Sequence, residues 1–355
     1  MVKGLSVHPS EFWSAIETCE KLLKRKICIA GARGDCDGDI IEAHTIPRSQ
    51  LKRIAVNGHV YAFEATAVDL HRNEGEYSVG KRGIGQFSVL NFFCAEHDRA
   101  IFSHLENDDL VFDDHQLALL HYRAMGAELY KKVNALNNIR FVIQQLKKRR
   151  DPHRKLIELR ALEGGHMLGV RDMAKTFTRC EEILVDERFD EVNAGVFKFK
   201  KMPSIMTVGG FSPEFDYNGR MLQRLGNAEM EYHQIGLSIL AQQNSAAVVF
   251  TWLREADVCD RFVVSLLKSD PNLFTTLAIQ TAFEHLENTC MSIPWWDGLR
   301  SVEQDALRVR MQYAGSPFEE RLASCLEYCG ITFDQWGFEV FRPVRIMYSS
   351  GQMIT

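Results

Sequence analysis

The sequence lacks any long run of apolar residues. Its most apolar windows, residues 235–240 and 246–253, are far shorter than the roughly 20 residues that a helix needs to cross a bilayer. The opening residues also lack the apolar stretch of a signal peptide. From these absences we expect a cytoplasmic protein that does not enter a membrane.

An excess of basic residues is also missing. The chain has 42 Lys and Arg against 47 Asp and Glu, for a formal net charge of -5, which argues against a protein coated with basic surface. A local basic patch is still compatible with this balance, so composition neither implies nor excludes nucleic acid. The sequence also has no internal repeats or low-complexity tracts. It contains no Walker loop, no Gly-x-Ser-x-Gly elbow and no dinucleotide fingerprint, so no motif indicates a P-loop NTPase, an α/β-hydrolase or a dinucleotide-binding enzyme.

The residues that are present predict an α+β protein. Short β-like pieces fill residues 26–93, after an amphipathic helix over 10–25. A helical pattern follows over 113–190, with an interruption at Pro152 and a turn at Gly164–Gly165. Strands over 195–255 and helices beyond them predict an antiparallel sheet with flanking helices. We therefore divide the chain into 1–112, a helical connector over 113–190, and an α+β domain over 191–355.

Cysteine and histidine residues in the first segment predict a metal site. In a reducing compartment, cysteines near histidine indicate a metal site or a reactive thiol before a disulfide. Cys94 and His97 have the two-residue gap of a zinc knuckle, and Cys28 ends a strand-like piece that enters a Gly-rich turn. The fourth ligand is either His44 or Cys36. We favour His44, because Cys36 lies in a loop that we expect to be flexible.

Two stretches resemble the HNH nucleases, also called the ββα-metal or treble-clef family. They are Ala-His-Thr-Ile-Pro-Arg-Ser over 43–49 and Asn-Phe-Phe-Cys-Ala-Glu-His-Asp over 91–98. The resemblance covers about residues 26–110. It implies that His44 is the general base, that Asn91 is the loop asparagine, and that Cys94 and His97 are structural zinc ligands. Asp98 would take the place of the last histidine, a ligand of the catalytic metal.

The sequence departs from the family pattern at several positions. The usual first Cys-x-x-Cys is reduced to Cys28, with Gly31 in the partner position. His97 replaces a cysteine and Asp98 a histidine, although an Asp oxygen can hold Mg²⁺. The insert between residues 49 and 91 is longer than the family's usual one. These departures predict a degenerate relative.

The identity of the fourth ligand decides between two functions. If Cys36 completes the zinc site, His44 is free to act as a base in a nuclease that uses Mg²⁺ or Mn²⁺ on DNA or RNA, in a setting such as defence against foreign nucleic acid. If His44 binds the zinc, the chain is a non-catalytic, zinc-stabilised interaction or scaffold protein.

Partners are predicted from charge and from the C-terminal segment. Nucleic acid could contact Arg48 and the basic run Lys147, Lys148, Arg149 and Arg150. Residues 191–355 could provide a surface for a protein partner or for a homo-oligomer.

Overall fold

The computed structural model describes residues 9–22, 25–31, 36, 38–64, 66–107, 109–147, 153–226, 228–315 and 322–346. These residues form a mixed α+β protein with long helices and an antiparallel sheet, as the sequence predicts. Among the helices described, none combines the length and apolar character required to traverse a bilayer.

The first helix, α1 (Pro9–Leu22), confirms the predicted helix up to residue 22, and residues 23 and 24 of the prediction lie outside the described residues. Phe12, Ile16 and Cys19 are buried along one side of it. This side packs into a small apolar cluster that includes Ile139 and Leu159. The 3–4 residue spacing of these side chains accounts for both the helix and the face that it buries.

The next segment builds a hairpin and a helix around a long insertion. β1 (Ile40–His44) pairs antiparallel with β4 (Val89–Cys94), and α4 (Ala95–Glu106) follows β4 directly. Between β1 and β4 the chain forms α2 (Arg48–Leu51), β2 (His59–Glu64), α3 (Ala67–Arg72) and β3 (Ser78–Gly83). The predicted strand over 26–30 is instead an extended segment along β4, held by hydrogen bonds from Ile27 N to Asn91 O and from Ile29 N to Phe92 O.

Two 33-residue helices, α5 (Asp114–Leu146) and α6 (His153–Val185), fill the predicted helical connector. Asp113 caps α5 by accepting a hydrogen bond from Gln116 N at 2.8 Å, so the predicted start is confirmed. The predicted turn at Gly164–Gly165 is wrong, because both glycines lie inside α6. They are exposed there, and packing of α6 on α5 offsets their low helix propensity. Pro152 lies outside the described residues.

The strands predicted over 195–255 are confirmed as β5 (Val192–Phe199), β6 (Ile205–Phe211), β7 (Ile235–Gln242) and β8 (Ser245–Leu253). Two further strands of the same large sheet, β9 (Thr289–Met291) and β10 (Phe338–Val344), lie beyond residue 255, where the sequence predicts helices. The helices that accompany them are α7 (Asp257–Leu267), α8 (Phe274–His285), α9 (Ile293–Gly298) and α10 (Ser301–Gly315).

The sheet has the strand order β10-β5-β8-β7-β6-β9-β2-β3, and every pair in it is antiparallel. Its β2–β3 edge comes from the insertion between β1 and β4, and β2 joins the rest through Tyr61 opposite Met291. The sheet therefore crosses the predicted boundaries at 112 and 190. One apolar core likewise runs from Ala30 to Cys290.

Candidate metal centre

Four side chains from three chain segments meet at the end of β4. The ligand atoms of Cys28, Cys36, Cys94 and His97 all lie within 4.8 Å of one another. The Sγ atoms of Cys28 and Cys94 are each 3.3 Å from His97 Nδ1. Tetrahedral zinc with bonds of about 2.0–2.3 Å separates its ligands by roughly 3.3–3.8 Å. This Cys₃His group could therefore hold a metal ion.

Local structure explains why Cys94 and His97 converge. Cys94 is the last residue of β4 and the N-cap of α4, and its Sγ accepts a hydrogen bond from His97 N at 3.3 Å. A strand that runs straight into a helix places the cap residue and the third helical residue on the same side. The two-residue gap seen in the sequence is therefore the geometry of a capped helix start.

Cys36 lies two residues before Gly38, and residues 38 and 39 run alongside the start of α4. Ala95 N donates to Asp39 O at 3.0 Å, and Ile40 then pairs with Cys94. Gly38 makes the close approach possible, since a Cβ at this position would lie 3.1 Å from both Cβ and Sγ of Cys94. Contacts this short are uncommon for real Cβ atoms, so a larger residue at this position would require Cys94 to shift by a few tenths of an ångström.

The cluster brings thiols close enough to affect one another's ionisation. The hydrogen bond with Cys94 is the main reason that the pKa of Cys36 rises to about 11. For Cys94, burial acts to raise the pKa, but hydrogen bonds from the His97 backbone and from Cys36 outweigh it and lower the pKa. Thiols this close favour ionisation of one member over the others. A bound cation favours the thiolate in all of them.

The arrangement corrects the choice of His44 over Cys36 as the fourth ligand. Ile40, at one end of β1, pairs with Cys94, whereas His44, at the other end, pairs with Val89. Four residues of strand span about 13 Å, which is too far for His44 to share an ion with Cys94. Cys28, Cys94 and His97 are grouped as expected, and the fourth member is Cys36.

His44 instead contacts the chain that returns from β3. Its Nε2 lies 3.1 Å from the carbonyl oxygen of Ile84. The next residue, Gly85, lies beside Arg48, because a Cβ on it would be 3.8 Å from Arg48 Nη2. Arg48 is exposed. The His44 imidazole and the Arg48 guanidinium thus both lie beside the turn at residues 84–85, outside the Cys₃His group.

Asp98 lies in the first turn of α4 and is close enough to His44 for the two charges to interact. Burial raises the pKa of Asp98, while the charges of Arg123 and His44 act to lower it. Its Oδ1 is buried and has no hydrogen-bond partner among the residues that the structure describes. An acidic oxygen in this state is suited to a ligand that provides positive charge.

The buried arginine of α5 was not singled out by the sequence. Arg123 is 1% exposed; its guanidinium lies 3.8 Å above the Phe102 ring and donates to Glu106 at 2.6 Å. Phe102 and Glu106 lie one and two turns after Asp98, so Arg123 lines the same face of α4. The only sequence signal was an arginine in an otherwise apolar stretch of helix.

The other predicted site residues are distributed around this region. Asn91 lies in β4, three residues before Cys94, and its carbonyl oxygen accepts from Ile27 N at 3.2 Å. Lys147 is exposed at the C-terminal end of α5. Lys148, Arg149 and Arg150 lie outside the described residues, so most of the predicted basic run has no structural description.

Comparisons with known proteins give no relative: no family model, curated protein or solved structure matches the chain.

Proposed function

We propose that the chain is an HNH-like nuclease, a metal-dependent phosphodiesterase for DNA or RNA with zinc in its Cys₃His group. The observation that carries this proposal is that Cys36, and not His44, belongs to that group. This frees the histidine that the family resemblance assigns as the base. The β1–β4 hairpin followed by α4 has the order of elements that the resemblance implies.

The hydrogen bond at His44 supports its role as a general base. A carbonyl oxygen can only accept, so the contact with Ile84 O puts a proton on Nε2. In the neutral ring Nδ1 then carries the lone pair. It can take a proton from a water molecule as that water attacks a phosphodiester, while Ile84 keeps the ring in one orientation.

The proposed divalent cation is assigned to Asp98, whose charge interacts with that of His44. Asp98 supplies the buried oxygen without a hydrogen-bond partner, and oxygen is the ligand type that Mg²⁺ and Mn²⁺ prefer. When bound, such an ion supplies Lewis-acid polarisation of a phosphate oxygen. Asn91 is the further residue that the resemblance assigns to this site.

Substrate contact is assigned to the cationic side chains near His44. Arg48 is exposed beside Gly85 and can pair with a phosphate of the strand. The basic run at 147–150 would extend the contact along a nucleic-acid backbone. Defence against foreign nucleic acid is one setting in which such a nuclease would act.

The test is cleavage of plasmid DNA, single-stranded DNA and RNA with added Mg²⁺ or Mn²⁺. We expect His44→Ala to lower the cleavage rate by about 10²–10⁴-fold, the usual contribution of a general base, and Asp98→Asn to raise the Mn²⁺ concentration needed for half-maximal rate. His59→Ala is the matched control, since the His59 ring contacts Asn57 O in its own turn, away from the Ile84 carbonyl that His44 contacts.

Two results would contradict the nuclease proposal. One is zinc-loaded, folded wild-type protein that cleaves none of the three substrates with either cation, which would favour the zinc-stabilised scaffold instead. The other is a His44→Ala protein as active as His59→Ala.

A further inference from the structure

A cavity of about 260 Å³ lies behind the turn that contacts His44. Its walls include Lys131 from α5, Arg82 from β3, Phe87 and Ser88 from the segment before β4, and Glu287 after α8. Pockets for drug-sized ligands start at about 300 Å³, so this cavity suits a single small ring system.

Arg82 is already neutralised by carboxylates. Its Nη2 lies 2.7 Å from Asp69 Oδ2 and 3.4 Å from Glu64 Oε1. An anionic ligand would have to compete with both acids for this guanidinium. Arg82 therefore does not make the cavity a phosphate site.

Lys131 is surrounded by acids as well. Its Nζ is 2.5 Å from Glu128 Oε1, and the charge of Glu287 also acts on it. Glu287 in turn accepts a hydrogen bond from the Tyr77 hydroxyl at 3.1 Å. Lys132 also acts on Glu287, so four carboxylates, of which Glu287 lines the cavity, stand against three positive charges in and around it. This balance favours a ligand that donates hydrogen bonds.

The rest of the lining is apolar or neutral. Phe87 and Leu90 provide half-buried apolar surface, and Thr45 and Asn288 provide neutral polar groups. The Asn288 amide is held by donating to Thr45 Oγ1 and to Val208 O, both at 2.9 Å. A flat ring with a polar edge matches a lining that combines apolar side chains with the charged groups of Glu287 and Lys131.

We propose that this cavity binds a guanine base. Guanine carries two adjacent donors, N1–H and the 2-amino group, which pair with the two oxygens of one carboxylate, here Glu287. Its O6 lies next to N1–H and accepts from a cation, here Lys131. Adenine would turn the lone pair of N1 toward the carboxylate. The base can come from a free guanine nucleotide or from a nucleic-acid strand, and binding requires no cleavage activity.

The test is calorimetric titration of the full chain with GMP, IMP and AMP, without added divalent cation. Inosine lacks only the 2-amino group. Because one hydrogen bond to a charged group is lost, we expect IMP to bind at least about tenfold more weakly than GMP, and AMP more weakly still. Glu287→Gln should abolish the preference for GMP over IMP. Glu339→Gln, exposed on β10 at the opposite edge of the sheet, should retain it.

A second arm identifies the source of the base, using a short single-stranded oligonucleotide with one guanine and its inosine counterpart. Preference for guanine in GMP supports a nucleotide site, and preference in the oligonucleotide alone supports a base presented by a strand. Lys131→Met should weaken guanine binding in either case, and melting curves establish that each variant is folded. Equal binding of guanine and inosine in both arms, or a folded Glu287→Gln protein with unchanged preference, would overturn the proposal.

Discussion

His44 Nε2 lies 3.1 Å from the carbonyl oxygen of Ile84, a residue separated from it by 40 positions of chain. Ile84 follows directly after β3, at the base of the hairpin that β2 and β3 form. The long insertion between β1 and β4 therefore supplies the group that orients the proposed base. The long insertion departs from the HNH pattern, yet it holds His44, which matches that pattern, through the Ile84 carbonyl.

Replacing Cys36 by Ser should remove most of the bound zinc. The reason is that Cys36 is one of four ligand atoms within 4.8 Å of one another, and losing a ligand costs more than the roughly 10- to 100-fold in affinity typical of an outer-shell partner. Metal analysis of purified protein measures the effect. Cys329→Ser, at an exposed cysteine far along the chain, is the control. Full zinc content in the Cys36 variant together with loss of zinc from His44→Ala would restore His44 as the ligand.

Gly38→Ala should weaken metal binding through packing alone. The added methyl would lie 3.1 Å from Cys94 Sγ and Cβ, and Cys94 is fixed in place because β4 ends and α4 begins there. Overpacking of this kind costs about 1–3 kcal/mol, which we expect as a lower zinc affinity in a competition titration. Gly31→Ala is the matched control, because a Cβ there meets nothing within 4 Å. Equal affinities for the two variants would show that the close approach has no effect.

A strong chelator should lower the melting temperature of the protein by at least about 5 °C. A metal that binds only the folded state stabilises it by mass action, and about 1 kcal/mol corresponds to roughly 2–4 °C in a large domain. Differential scanning fluorimetry with and without chelator measures the shift. The Cys36→Ser protein, already depleted of metal, should respond less. A wild-type melting curve indifferent to the chelator, in protein without transition metal, would remove the basis of the zinc proposal.

Acid should destabilise the protein through His121. This side chain is fully buried, with Nδ1 3.2 Å from Thr251 Oγ1, and burial lowers its pKa to about 4. In the unfolded chain the His121 ring takes up a proton below about pH 6.5, whereas in the folded chain it does so only near pH 4. Stability is therefore intact above pH 6.5 and falls as pH drops from 6.5 to 4.

We expect the free energy of unfolding to fall by about 2 kcal/mol more in wild type than in His121→Phe between pH 7 and pH 5. Urea unfolding at the two pH values measures this difference. His166→Gln removes a second histidine whose pKa burial lowers to about 4, and so separates the two contributions. An identical pH dependence in wild type and His121→Phe would rule out the assignment.

Much of the sheet could be predicted from the sequence. The strands that become β5 to β8 are continuous apolar runs bounded by turn residues, and most of their residues are buried. Strand order could not be predicted in the same way. The pairing of β2 with β9 joins residues about 230 positions apart, and no local pattern carries that information.

Three of the four members of the Cys₃His group were predicted from the sequence. Cys94 and His97 follow from a local gap, and Cys28 from its strand-like context. The choice between Cys36 and His44 depended on the register of β1 against β4, which places one end of β1 beside Cys94 and the other about 13 Å away. The Gly-rich stretch was expected to be a flexible loop, whereas Gly38 lies against Cys94.

The edge position of the β2–β3 hairpin has a consequence for biosynthesis. Tyr61 of β2 pairs with Met291 of β9. At a synthesis rate of roughly 5–20 residues per second, the ribosome therefore needs about 10 to 50 s after making β2 to make β9. During that interval the backbone groups of β2 that pair with β9 have no partner strand in the nascent chain. We expect the growing polypeptide to rely on chaperones until β9 emerges.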